Sequence, residues 1–125
     1  MDTIAYALAL IAGAIHVYIF TLESIIWRTP RAYRTFGITS LDDVETLAPA
    51  MFNQGFYNLF LAFGAIGGSL LGFGGSSTGE VLTLYTMAFM LGAALVLLAA
   101  DRKMIRGVLV QGLLPAISFV LLLVA

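Results

Sequence analysis

The chain has 125 residues, of which 61% are hydrophobic and only 10% charged. A soluble domain of this length carries about 25% charged residues, and one small core cannot hide so much apolar surface, so the chain is read as an integral membrane protein. The net charge of −1 and the lack of any lysine- or arginine-rich run give no nucleic-acid partner, while zero cysteines and a single histidine leave no disulfide, thiolate or multi-histidine metal site within one chain, so no cofactor is expected.

A helix needs about 20 mostly apolar residues to cross a bilayer. Four segments qualify, roughly Thr3 to Trp27, Pro49 to Gly72, Val81 to Ala100 and Ile105 to Ala125. The first has Asp2 and no positive region ahead of it, and its apolar run is too long for a signal peptide, so it is read as a span. A short interfacial helix is expected from Pro30 to Phe36, with Thr29 and Pro30 as its N-cap and first residue and Gly37 as its stop. Ser40 and Asp43 resemble a capping box. A helix starting near Leu41 would lie along the surface until Pro49 bends it into the membrane. The stretch Gly72 to Gly79 reads as a flexible outer turn. No Gly-Lys-Ser/Thr comes after it, so it is not a phosphate loop.

All six basic residues lie in two places, Arg28, Arg31 and Arg34 after the first span and Arg102, Lys103 and Arg106 before the fourth. The positive-inside rule puts both loops in the cytoplasm and both termini on the outer side of the plasma membrane. Arg28, Arg31 and Arg34 are available to anionic lipid, although ordinary topology signalling is the favoured explanation of them. The expected fold is all-α: one membrane-embedded antiparallel four-helix bundle with both termini outside and a short interfacial helical segment between spans 1 and 2.

Ionisable groups inside a membrane are costly and read as functional by default. The first span holds His16 and Glu23, two helical turns apart and so on one regular helix face, with His16 about 10 Å further out. Partners are offered by Asn53, Gln54 and Asn58 on the second span and by Gln111 on the fourth. Gln54 and Asn58 are four apart on one face, and Asn53 and Tyr57 form a neighbouring pair. Glu23, Asn53, Gln54 and Gln111 fall in the cytoplasmic half. His16 would cap that polar layer from above, through Asn58. Gly64, Gly68 and Gly72 form a doubled small-xxx-small stripe that lets another helix approach, and Thr83, Thr86 and Met90 can face inward on the third span.

Plainer roles compete with these. Buried Asn and Gln join helices, His16 can bond a backbone carbonyl, Glu23 can pair with Arg28, Arg102 or Arg106, and Trp27 can anchor at the interface. His16 and Glu23 stand too far apart on one helix to hold one metal or to touch as an acid/base pair. Ser24 and Ser118 lack a placed base, so no serine triad is supported.

Three motifs carry a family resemblance: His16-x-x-Ile19-Phe20-x-Leu22-Glu23-x-x-x-Trp27-x-x-Pro30; Asn53-Gln54-Gly55-x-Tyr57-Asn58-x-Phe60-Leu61-Ala62-x-Gly64; and Gln111-x-x-x-Pro115-Ala116. With these the chain resembles the domain-of-unknown-function 1304 family, small bacterial membrane proteins with four predicted spans. The third span departs from the family pattern, reading Leu91-Gly92-Ala93-Ala94 and ending Ala99-Ala100-Asp101. The resemblance implies a fold and a set of residues, and no activity.

Three functions fit the sequence. One is a binding or transport module, with a polar pocket open to the cytoplasm for a small or amphipathic molecule and Glu23 as its anchor. Another is an accessory subunit of a larger membrane complex or homo-oligomer, using the polar groups to join helices. The last is an intramembrane enzyme on a lipid or quinone-like substrate, with Glu23 as general base.

Overall fold

A computed structural model describes all 125 residues, Met1–Ala125. Helix α1 spans Asp2–Phe20 and runs on as a π-helical turn, Thr21–Ile25; α2 is Pro30–Thr35; α3 is Leu41–Phe73; α4 is Ser77–Ala100. A 3-10 turn, Arg102–Met104, leads into α5, Ile105–Val124. There is no strand. The four long helices are apolar and long enough to cross a membrane. They form an antiparallel ring in which α1 packs on α3 and α5, and α4 packs on the same two from the opposite corner. Both termini therefore share the end of the bundle opposite the basic loops.

Small residues close the terminal end. A Cβ on Gly68 would sit 3.0 Å from the backbone nitrogen of Thr83, and one on Gly64 would sit 3.0 Å from the Thr86 methyl. One on Gly79 would sit 2.5 Å from the backbone nitrogen of Gly72. The glycines of α3 thus face Thr86, Thr83 and Gly79 of α4 in antiparallel register, with backbones in contact. A Cβ on Gly72 would also enter the Tyr6 ring of α1. The hydroxyls here are used within their own helices, Thr83 donating to Gly79 O at 2.8 Å and Ser69 to Ala65 O at 2.7 Å. Ser118 is the exception, donating to Ala5 O at 2.8 Å and tying α5 to α1. Beneath this layer Ala9, Ala12, Ala65, Met87 and Met90 form a fully buried apolar plug.

The turn between α3 and α4 is shorter than expected. α4 begins at Ser77 rather than Val81, because the Ser76 hydroxyl accepts from Gly79 N at 3.2 Å and caps it. Gly75, at φ 82°, makes the reversal that a side chain would resist.

At the basic-loop end the expected surface helix with a bend is replaced by one uninterrupted α3 of 33 residues. At ~1.5 Å per residue it is about 50 Å long, against about 30 Å of hydrocarbon, so its first turns project beyond the apolar layer. That projection carries Asp42, Asp43 and Glu45. Pro49 costs the helix one backbone bond without ending it. Val44 and Ala48, just before it, are held against Trp27 and Tyr33. Trp27 is therefore no interfacial anchor: it is 4% exposed and donates its indole N–H to Val44 O at 2.9 Å. Helix α2 starts at Pro30 and ends one residue before the expected Phe36. The Thr29 hydroxyl does not cap it but donates back to Ile26 O at 2.8 Å. Gly37, at φ 77°, terminates it.

Candidate functional site

Glu23 sits in the π-helical turn that ends the first span, where Ile26 N bonds Thr21 O, five residues back, at 2.9 Å. Such a turn takes in one extra residue and rotates the chain beyond it relative to a regular helix. The neighbouring helix supplies its lock. The Ser24 hydroxyl donates to Phe52 O at 2.7 Å, crossing to α3 where Gly55 has no side chain; a Cβ there would occupy the position of the Ser24 side chain.

The result is a carboxyl group 1% exposed with two amide donors. Gln54 Nε2 donates to Oε2 at 2.6 Å and Asn58 Nδ2 to Oε1 at 2.5 Å. Their spacing of four residues on α3 places the two amides one above the other, matched to the two oxygens. No cation neutralises Glu23. Arg28, a candidate partner by sequence, instead pairs with Glu45 at 2.8 Å on the surface, and these hydrogen bonds raise its pKa above the usual guanidinium value. A carboxyl with only amide partners keeps free lone pairs, or a proton, for a further group.

That further group has a place. Glu23, Gln54 and Asn58 line a cavity of about 890 Å³ between the α1–α3 pair and the α4–α5 pair. Of its 21 lining residues 13 are hydrophobic, so the interior is an apolar slot with a few placed polar groups. Tyr57 lines it from α3 and is 68% exposed, marking an opening along the α3–α4 seam beside Phe89 and Val96. Gln111 lines the facing wall on α5. Arg34 and Arg106 complete the lining at the basic-loop end. The two helix pairs thus meet through the glycine register near the termini and separate around this space.

Two residues expected in the cluster stand apart from it. His16 is buried and its Nδ1 bonds Ala12 O, one turn back on its own helix, at 2.9 Å. It does not line the cavity and does not meet Asn58. The π turn is the physical reason, since the extra residue takes Glu23 off the face that regular α geometry would share with His16. Asn53 is exposed and outside the lining. One residue before Gln54 it points about 100° away, toward the bundle's outer surface.

Ser24, Gly55, Arg34 and Arg106 also belong to this site, although their sequence contexts do not place them there. Gly55 next to Gln54 and Asn58 was a signal for close approach, and an isolated Gly inside a span often marks one. No cluster of three or more histidine or acidic side chains could hold a metal ion. The glycines of Gly72 to Gly79 are used in packing and in the turn between α3 and α4.

No curated protein and no solved structure matches the chain. A family model described as "Protein of unknown function (DUF1304)" matches residues 10–123, so a polar α3 wall facing a buried Glu23 is here the architecture of a member of the DUF1304 family.

Proposed function

We propose that this protein is a membrane-embedded binding module for a small amphipathic molecule, with Glu23 as the polar anchor of the bound ligand. One observation carries the reading: a buried carboxyl with two amide donors and no counter-ion faces a half-open, mostly apolar cavity of about 890 Å³. Packing alone needs no carboxylate there, because glutamine would bond its neighbours at lower desolvation cost. The apolar walls, Ile15, Ile19, Ala93 and Leu97 among them, suit a hydrocarbon body. The apolar plug beyond the cavity disfavours a continuous path to the terminal end and favours binding over transport.

The test is a thermal-shift series on the purified protein with single-chain amphiphiles bearing amine, hydroxyl or carboxylate heads. At least one head class should stabilise the wild type, and Glu23→Gln should abolish that shift. A panel without any shift, or shifts retained in full by Glu23→Gln, overturns the reading.

The same reading assigns the protein to a bacterial plasma membrane with both basic loops in the cytoplasm, on the strength of all six basic residues lying in those loops. The cysteine-free chain makes this simple to check. The Ser76→Cys variant should label with a membrane-impermeant maleimide in whole cells, and Arg102→Cys only after lysis. The reverse pattern refutes the orientation.

A further inference from the structure

The cavity has a second charged pole that the Glu23 reading does not use. Arg34, beyond the first span, and Arg106, at the start of α5, line the same cavity from its two walls. Neither has a carboxylate partner, since the one ion pair in the protein is Arg28–Glu45. The neighbouring basic residues are otherwise placed. Arg31 reaches back to Tyr18, its guanidinium 5.9 Å from the ring centre and its Nη2 3.3 Å from the hydroxyl. Arg102 and Lys103 lie outside the lining.

From the basic loops upward, the lining changes character in three tiers. Arg34, Thr35 and Arg106 are the polar groups of the mouth, set among Phe36, Ala100 and Met104. Five residues further along α5, about 7.5 Å at helical rise, Gln111 lies across from Glu23, Gln54 and Asn58. Beyond them Ile15, Ile19, Phe89 and Ala93 are apolar. The slot also opens sideways at the α3–α4 seam, where Tyr57, Phe89 and Val96 are exposed to the surrounding hydrocarbon. A glycerophospholipid has the same order over the same range: an anionic phosphate, a band of ester carbonyls, then hydrocarbon.

We propose that the cavity binds an anionic glycerophospholipid, its phosphate between Arg34 and Arg106, its ester carbonyls at the tier of the Gln54, Asn58 and Gln111 amides, and one acyl chain in the apolar slot. The inference rests on the cavity being a ligand site, and it names the ligand. Paired guanidinium groups suit a phosphate, which they hold through charge and directed N–H donors. Glu23 holds the amides of Gln54 and Asn58 in place, and their second N–H groups, together with the amide of Gln111, donate to the ester carbonyls. Entry is lateral, from the leaflet on the side of the basic loops, so the lipid never leaves an apolar surrounding.

The experiment is native mass spectrometry of protein released from nanodiscs of equimolar dioleoylphosphatidylglycerol and dioleoylphosphatidylcholine. Two guanidinium groups near one phosphate predict retention of the anionic lipid over the zwitterionic one by about thirtyfold. Arg34→Gln with Arg106→Gln should bring the ratio close to one. Arg102→Gln with Lys103→Gln removes the same charge outside the lining and should leave the preference intact. Equal retention of both lipids by wild type overturns the inference. So does a preference that survives the first double variant or is lost equally in the second, which would be general surface attraction. Displacement of the retained lipid by millimolar inorganic phosphate alone also overturns it, showing a free-anion site. Failure here with a Glu23-dependent response to neutral or amine amphiphiles would leave the binding module standing, and failure of both would remove it.

Discussion

The two ends of this bundle solve opposite problems with the same four helices. Near the termini, α3 meets α4 through Gly64, Gly68 and Gly72 against Thr86, Thr83 and Gly79, with backbones touching and each hydroxyl bonded to a main-chain carbonyl. Near the basic loops the same two helices carry Tyr57, Phe89 and Val96, large side chains that stay exposed around a cavity. In a bilayer the hydrophobic effect does not drive helices together, so contact occurs where small residues permit dense packing and stops where bulky ones intervene. The terminal end is a clamp. The opposite end is free to house costly polar groups, because closing it is not what holds the protein together.

The sharpest way to break this contrast is to put a methyl group into the clamp. In Gly79→Ala the new Cβ would lie 2.5 Å from the Gly72 backbone nitrogen and 2.7 Å from the Leu71 backbone carbon. Backbone cannot rotate aside as a side chain can, so α3 and α4 must separate. The expected cost is about 3 kcal/mol or more, at the upper end for overpacking. Thermal unfolding in detergent should show a large drop in Tm or loss of the folded species on sizing. Wild-type stability in Gly79→Ala would mean that the close approach does not hold the bundle together.

A smaller effect is expected at Gly55, the close approach beside the cavity. A Cβ there would displace the Ser24 side chain, whose hydroxyl bonds Phe52 O. Gly55→Ala should cost about 1–3 kcal/mol, as a strained contact plus a lost interhelical bond. Ser24→Ala alone should cost about 1 kcal/mol. The two changes act on one contact, so their combination should cost clearly less than the sum. Unlike the clamp variant, Gly55→Ala should also weaken ligand shifts at Glu23, which rides on the turn that Ser24 fixes. Strictly additive stabilities, with unchanged ligand response, would separate the π turn from the α3 contact.

The clamp and the cavity differ in how far the sequence discloses them. Span number and order come from apolar length, and the four-residue spacing of Gln54 and Asn58 already places both amides on one face. What spacing does not reveal is a change in helical phase. His16 and Glu23 share a face only if every residue between them adds the same 100°, and the π turn at Thr21–Ile25 breaks that count. The turn depends on Ser24 reaching a carbonyl 28 residues away, a tertiary contact with no local trace. Pro49 misleads for a related reason. Its local effect is to weaken a helix, yet the Trp27 and Tyr33 cluster docks the segment before it and keeps α3 continuous. Arg34 and Arg106, 72 positions apart in sequence, read as topology signals until the fold sets them on one cavity.

The weakest predicted effect is also the one with the opposite sign. Gly92 of α4 has nothing within 4 Å of where a Cβ would stand, and at Gly107 of α5 the nearest atoms, in Met104 and Leu97, are at 3.8 and 4.0 Å. Both glycines lie toward the basic-loop half, and Gly107 lines the cavity. Neither is used for close approach or for a positive φ, so each only adds backbone freedom to a helix. Gly92→Ala and Gly107→Ala should therefore each stabilise the protein, by up to about 1 kcal/mol, or leave it unchanged. Gly107→Ala places one methyl group near the cavity wall and should leave ligand affinity within about twofold, since a methyl contact is a small fraction of an apolar slot. The same Gly-to-Ala change would then be destabilising at Gly79 and stabilising at Gly92, two positions on one helix. A measured loss at Gly92 would show that α4 packs tightly along its whole length and that the two ends of the bundle are not built on different principles.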